Sequence, residues 1–194
     1  MKLGVQNQHG LLPLPWRMIC AALVLAFVAL APTPAAAQAV VSSGRAEAVV
    51  VGALSFFKVD DIVFGSIIPG PTAGTVVLAP TGARTKTGGV KLATGATPQP
   101  ASFAGRGANN QRVAISVTSN SVTLNRVGGG GTMTMDTFII GSSPTAQLTT
   151  APLAFRINSA TGIFQFPVGA TLRVKANQAP GKYTGTFAIT LQYQ

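Results

Sequence analysis

Alternation with a period of two governs this chain. It is clearest from Tyr183 to the last residue. Tyr183, Gly185, Phe187, Ile189, Leu191 and Tyr193 are apolar or small, and Lys182, Thr184, Thr186, Thr190 and Gln192 between them are polar. Side chains on a strand point to opposite faces in turn, so this pattern lays one face on a core and leaves the other in water. Shorter runs of the same kind recur upstream, bounded by Gly, Pro, Ser and Asn. They read "AEAVVVGALSFFKV", "DIVFGSI", "GTVVLA", "GVKLAT", "ASFAG", "RVAISVTS", "SVTLNR", "TMTMDTFII", "LAFRI", "GIFQF" and "TLRVKA". Within one of them Val113, Ile115 and Val117 face one way. No stretch beyond the first forty residues repeats at 3.6. Many short strands with turn signals between them predict an all-β fold, a sandwich or a barrel. "PGPTAG" and "NQAPG" are turns, and the glycines of "VGGGGT" form a hairpin loop between two strands.

The first forty residues follow other rules. Lys2 and Arg17 precede the apolar run "MICAALVLAFVALA", which gives way to "PTPAAAQA". Basic residues, an apolar stretch and small residues at a cleavage site make a secretory signal peptide, cut after Ala37 or after Ala39. The apolar run from Met18 to Ala31 is about 14 residues, short of the roughly 20 that span a bilayer as a helix. The expected layout is a signal peptide over 1–37, an extension or first strand over 38–52, and a β-sandwich over 53–194. The mature chain has no transmembrane segment on this reading. It is exported to the periplasm, then to the cell surface or beyond.

Cys20 and His9 fall in the leader, so the mature chain has neither residue type. Ser–His triads, thiol nucleophiles and ordinary zinc sites are thereby excluded. Four carboxylates remain, Glu47, Asp60, Asp61 and Asp136. Asp60 and Asp61 are neighbours, which on a strand point apart and cannot face each other across a cleft. "SFFK" (Ser55–Lys58) and "KTG" (Lys86–Gly88) match two motifs of penicillin-binding enzymes. The first, however, needs a helix where this sequence reads as a strand, and the S-D-N element of the set is missing. No catalytic, cofactor or metal residues are assigned, and the chain is not expected to be an enzyme. Twelve of the fourteen cations lie beyond the leader, a net charge of +8 against the four acids. They are spread singly and not interleaved with stacking aromatics, so nucleic acid is not an expected partner.

The end of the chain resembles that of chaperone–usher pilus subunits. In that family a glycine lies fourteen positions from the end and a tyrosine is penultimate, with alternating apolar residues between. Gly181, Tyr193 and the final Gln194 match. The resemblance implies an immunoglobulin-like antiparallel β-sandwich that lacks one strand. Partners meet it at the terminal strand, through Gly181, Tyr183, Phe187, Ile189, Leu191, Tyr193 and Gln194. A periplasmic chaperone covers the groove first, an outer-membrane usher follows, and the N-terminal extension of the next subunit then completes the fold in a homopolymer. Val40, Gly44, Ala46, Ala48 and Val50 line one small, mostly apolar face and form the candidate donor strand. The same residues serve equally as the first strand of the chain's own sandwich. "LSFFKVDDIVFGSIIPGPTAGTV" and "LRVKANQAPGKYTGTFAITLQYQ" are closer still to an uncharacterised domain-of-unknown-function family of secreted proteobacterial β-proteins. The function expected is a structural subunit of a surface fibre. The alternative is a monomeric secreted module that binds a glycan or another envelope component.

Overall fold

The computed structural model describes residues 45, 47, 48 and 50–194. The chain divides into two compact units, Met1–Ala48 and Val49–Gln194. The second unit holds fourteen strands: β1 Ser55–Asp60, β2 Ile67–Ile68, β3 Gly74–Leu78, β4 Arg84–Lys86, β5 Lys91–Leu92, β6 Ala101–Arg106, β7 Arg112–Val117, β8 Ser121–Arg126, β9 Thr132–Ile140, β10 Ala146–Leu148, β11 Leu153–Arg156, β12 Ile163–Val174, β13 Tyr183–Thr184 and β14 Ile189–Tyr193. The described residues contain no helix, and none long and apolar enough to cross a membrane.

Every strand pair is antiparallel. Nine strands form one sheet in the order β1-β6-β12-β9-β8-β13, with β10 added to β9, β3 to β12 and β4 to β3. A second sheet runs β11-β7-β14, and β2 and β5 make a short ribbon. Val76, Leu78, Met135, Phe138, Val168 and Leu172 of the large sheet and Ile115 and Val117 of the small one share a single buried cluster. Each comes from a strand whose alternate residues are apolar, so two inner faces meet. The result is the all-β antiparallel sandwich expected from the alternation.

The strands differ in detail from the sequence reading. "GIFQF" and "TLRVKA" are halves of one strand, β12, which runs unbroken through Pro167 and Gly169. Pro167 sits where β12 changes partners: it faces β6 up to Val168, then β9 from Val168 and β3 from Ala170. A proline is tolerated where ladder pairing changes hands. Among the described residues "AEAVVVGALSFFKV" is a strand only from Ser55 onward, and "DIVFGSI" is reduced to an isolated bridge at Val63 and to Ile67, the first residue of β2. Two strands, β4 and β10, lie where the sequence reads as loop. The terminal run is not one strand but two, β13 and β14, separated by residues 185–188. β13 pairs with β8 in the large sheet and β14 with β7 in the small one, so the chain changes sheets between them. Gly185 stands at that crossing. A Cβ there would come within 2.8 Å of the Thr123 carbonyl oxygen, which explains why the alternation has a glycine at this point.

Candidate functional site

β14 closes the small sheet on one side only. It pairs with β7 from Ile189↔Val117 to Tyr193↔Val113, and no strand among the described residues lies on its other flank. The ladder fixes which backbone groups are used. Thr118 N–H donates to the Ala188 carbonyl and Gln194 N–H to the Arg112 carbonyl, both at 3.1 Å. In an antiparallel pair, hydrogen-bonded and non-bonded residues alternate. Ala188, Thr190, Gln192 and Gln194 are therefore turned to β7. The N–H and C=O groups of Ile189, Leu191 and Tyr193 point to the open side.

The side chains of the same odd residues face inward. Ile189, Leu191 and Tyr193 are half-buried, while Thr190 and Gln192 are exposed. Phe187, just before β14, stacks on Phe138 with ring centroids 5.2 Å apart and meets Phe103 edge-on at 6.1 Å. Phe103 in turn stacks on Phe56 at 5.5 Å and on Phe166 at 5.8 Å. A file of rings thus ties the terminal segment to β1, β6, β12 and β9. The inner face along β14 is packed from below yet incompletely covered at its flank.

Tyr193 does more than fill space. Its hydroxyl accepts from Ala108 N–H at 2.7 Å and donates to the Gly52 carbonyl at 2.8 Å. These contacts join the last strand to the root of the N-terminal segment. Gly107 makes them possible: a Cβ there would come within 2.5 Å of Ile157 Cδ1, and within 3.0 Å of both Leu54 Cδ1 and the Tyr193 hydroxyl. Val50 is 95% exposed, and Ala48 is also exposed.

The residues singled out from the sequence therefore separate. Phe187, Ile189, Leu191, Tyr193 and Gln194 come together along one edge. Tyr183 belongs to the large sheet instead, and Gly181 lies in the bend just before it. Gly181 has φ +150°, and a Cβ there would strike Arg126 Nε at 2.6 Å. The Tyr183 hydroxyl accepts from Gln178 Nε2 and donates to the Ala179 carbonyl, each at 2.7 Å, which stitches a turn. Of the candidate donor residues, Val40, Gly44 and Ala46 lie outside the described residues. Ala48 and Val50 are outside any strand. Gly52 and Ala108 carry no signal in the sequence that marks them as partners of Tyr193.

Polar chemistry elsewhere is sparse. Ser55 Oγ accepts from Arg106 N–H at 3.2 Å, and Lys58 pairs with Asp61 at 2.5 Å, so "SFFK" is part of a strand and its following turn. Asp136 holds the Arg173 guanidinium; that hydrogen bond first, and the opposite charge second, raise the guanidinium's affinity for its proton. Among the described residues no three His, Cys, Asp or Glu side chains gather in one place.

A family model described as "Domain of unknown function (DUF4402)" matches residues 54–193. The chain belongs to the DUF4402 family. Its match begins at Leu54, beside the Tyr193 staple, and runs through β14, so the DUF4402 domain contains the open edge. No curated protein and no solved structure matches the chain.

Proposed function

We propose that this DUF4402 protein is an exported structural subunit of a surface fibre, and that it assembles by accepting a strand along the free flank of β14. The observation that carries this reading is one-sided pairing above half-buried side chains. Among the described residues, three offer unpaired backbone groups at an edge whose side chains are still partly in water. An added strand would satisfy those groups and bury the remaining apolar surface, at about 25 cal/mol per Å². An exposed edge of this kind is a hazard in a free monomer, and a partner strand removes it.

The position of the arm root supports a direction of assembly. Gly52 lies at the Tyr193 end of β14. An extension folding back along its own β14 would run parallel to that strand. One from a second copy can run antiparallel, the slightly more stable arrangement. Antiparallel pairing leads the second copy away from the Ile189 end, so each copy follows the last and the series stays open. Residues 38–50, with their small alternating face, are the proposed donor. A chaperone and usher are the proposed handlers of the unpaired edge before assembly.

The test compares three forms of the protein: the native chain, a chain with a short polar extension after Gln194, and a chain with the same insertion in the Gly128–Gly131 loop. SDS-resistant ladders are expected from the first and third and not from the second. Unchanged export and ladders from all three forms contradict the proposal and favour a monomeric binding module.

A further inference from the structure

We infer that the end of the sandwich opposite the arm root is a docking surface for an anionic polysaccharide. The inference is independent of strand pairing at β14. Four loops meet at this end, and hydrogen bonds hold them together. Asn177 N–H donates to the Gly70 carbonyl at 2.9 Å, and Gly89 N–H to the Ala73 carbonyl at 3.5 Å. Val127 N–H donates to the Lys182 carbonyl at 2.8 Å, and Gln178 Nε2 to the Thr132 carbonyl at 3.3 Å.

Charge is sorted onto this end. Lys86, Lys91, Lys175 and Lys182 are all exposed here. Arg126 is half-buried, and its guanidinium binds the carbonyls of Pro180 at 2.7 Å and Gly129 at 3.0 Å, which braces two of the loops. The ion pairs among the described residues are Lys58–Asp61 and Arg173–Asp136, so none of these five cations faces a carboxylate. Asp61 is paired with Lys58 just past β1, and Asp136 is held by Arg173.

The chemistry selects among anions. Exposed ammonium groups are mobile point charges, suited to carboxylate or sulfate groups spaced along a flexible chain. The aromatic ring at this end is Tyr183, half-buried with its hydroxyl engaged twice. Bases of a nucleic acid would find no stacking platform. Gly128 and Gly129 have open space where a side chain would stand. A ligand can approach their backbone closely, beside Val127, which is 60% exposed and can meet the apolar face of a sugar ring.

Titration calorimetry of the purified protein with an oligogalacturonate tests this. Binding is expected at about 50 mM salt, weakening tenfold or more by about 200 mM as counterions compete. Replacing Lys86, Lys91, Lys175 and Lys182 together by Gln should weaken binding about tenfold or more, since each removes one charge contact. Replacing Lys58, Arg106, Arg112 and Arg156 by Gln removes the same net charge and should change affinity by less than about twofold, because those cations lie outside the surface. Circular dichroism establishes that both variants fold, and Lys86→Gln with Lys182→Gln replaces the first set if it does not. No binding at low salt overturns the inference, as does equal loss from both sets. An oligothymidylate that binds as tightly as the oligogalacturonate also overturns it, in favour of nucleic acid.

Discussion

β12 and β14 are built from similar residues and stand in opposite situations. β12 is paired on both flanks, and five residues in a row from Val168 to Leu172 are buried. Among the described residues β14 is paired on one flank, and its inward residues are only half-buried. The alternation in β14 is as regular as any in the chain, yet it is spent on an edge. A strand with a good inner face and an empty flank is unfinished, and the difference from β12 is the ground for reading it as a partner site.

The largest effect should separate the two strands by truncation. Leu172→Ala in β12 should cost about 2–5 kcal/mol, as for a fully buried leucine. Leu191→Ala in β14 should cost about 1–2 kcal/mol, since part of its surface is already in water. Urea denaturation measures both. Equal losses would mean that β14 is as fully packed as β12.

Proline sharpens the comparison within β14. Thr190 turns its N–H to β7, so Thr190→Pro should destabilise the domain by about 1–3 kcal/mol more than Thr190→Ala. Leu191 turns its N–H outward, so Leu191→Pro should cost little more than Leu191→Ala. It should nevertheless stop ladder formation, which Leu191→Ala alone should permit. A smaller effect is expected at the staple. Tyr193→Phe keeps the ring and loses two hydrogen bonds, about 1–2 kcal/mol. Proteolysis between Gly52 and Leu54 should quicken in that variant, while cleavage near Gln178 should not.

Much of this was legible in the sequence, and the losses have physical causes. Period two identified β6, β7, β8, β9 and β14, and it placed Val113, Ile115, Val117, Ile189 and Leu191 on their inner faces. It could not separate β13 from β14, because inner faces keep the same parity when a chain crosses from one sheet to another. It divided β12 at Pro167, where the cost of the missing N–H depends on neighbours that only the fold supplies. The one-sidedness of β14 was not legible at all, because alternation reports a face and is silent about flanks. The Tyr193 staple depends on Gly52 and Ala108, partners 141 and 85 residues away. The basic end was hidden for the same reason: Lys86, Lys91, Lys175 and Lys182 look scattered along the chain and converge only when β3, β4 and β12 align.

The central claim is that β14 has a free flank made for a strand. Amide hydrogen exchange on the monomer, alone and with a synthetic peptide of residues 38–50, tests it most directly. Alone, the amides of Thr190 and Gln192 should exchange slowly and those of Ile189, Leu191 and Tyr193 quickly. With the peptide, those three should slow at least tenfold, to rates comparable with Thr190, because a closed ladder requires local unfolding before exchange. Slow exchange at all five amides of the free monomer, or no change at Ile189, Leu191 and Tyr193 when the peptide is added, would contradict the claim.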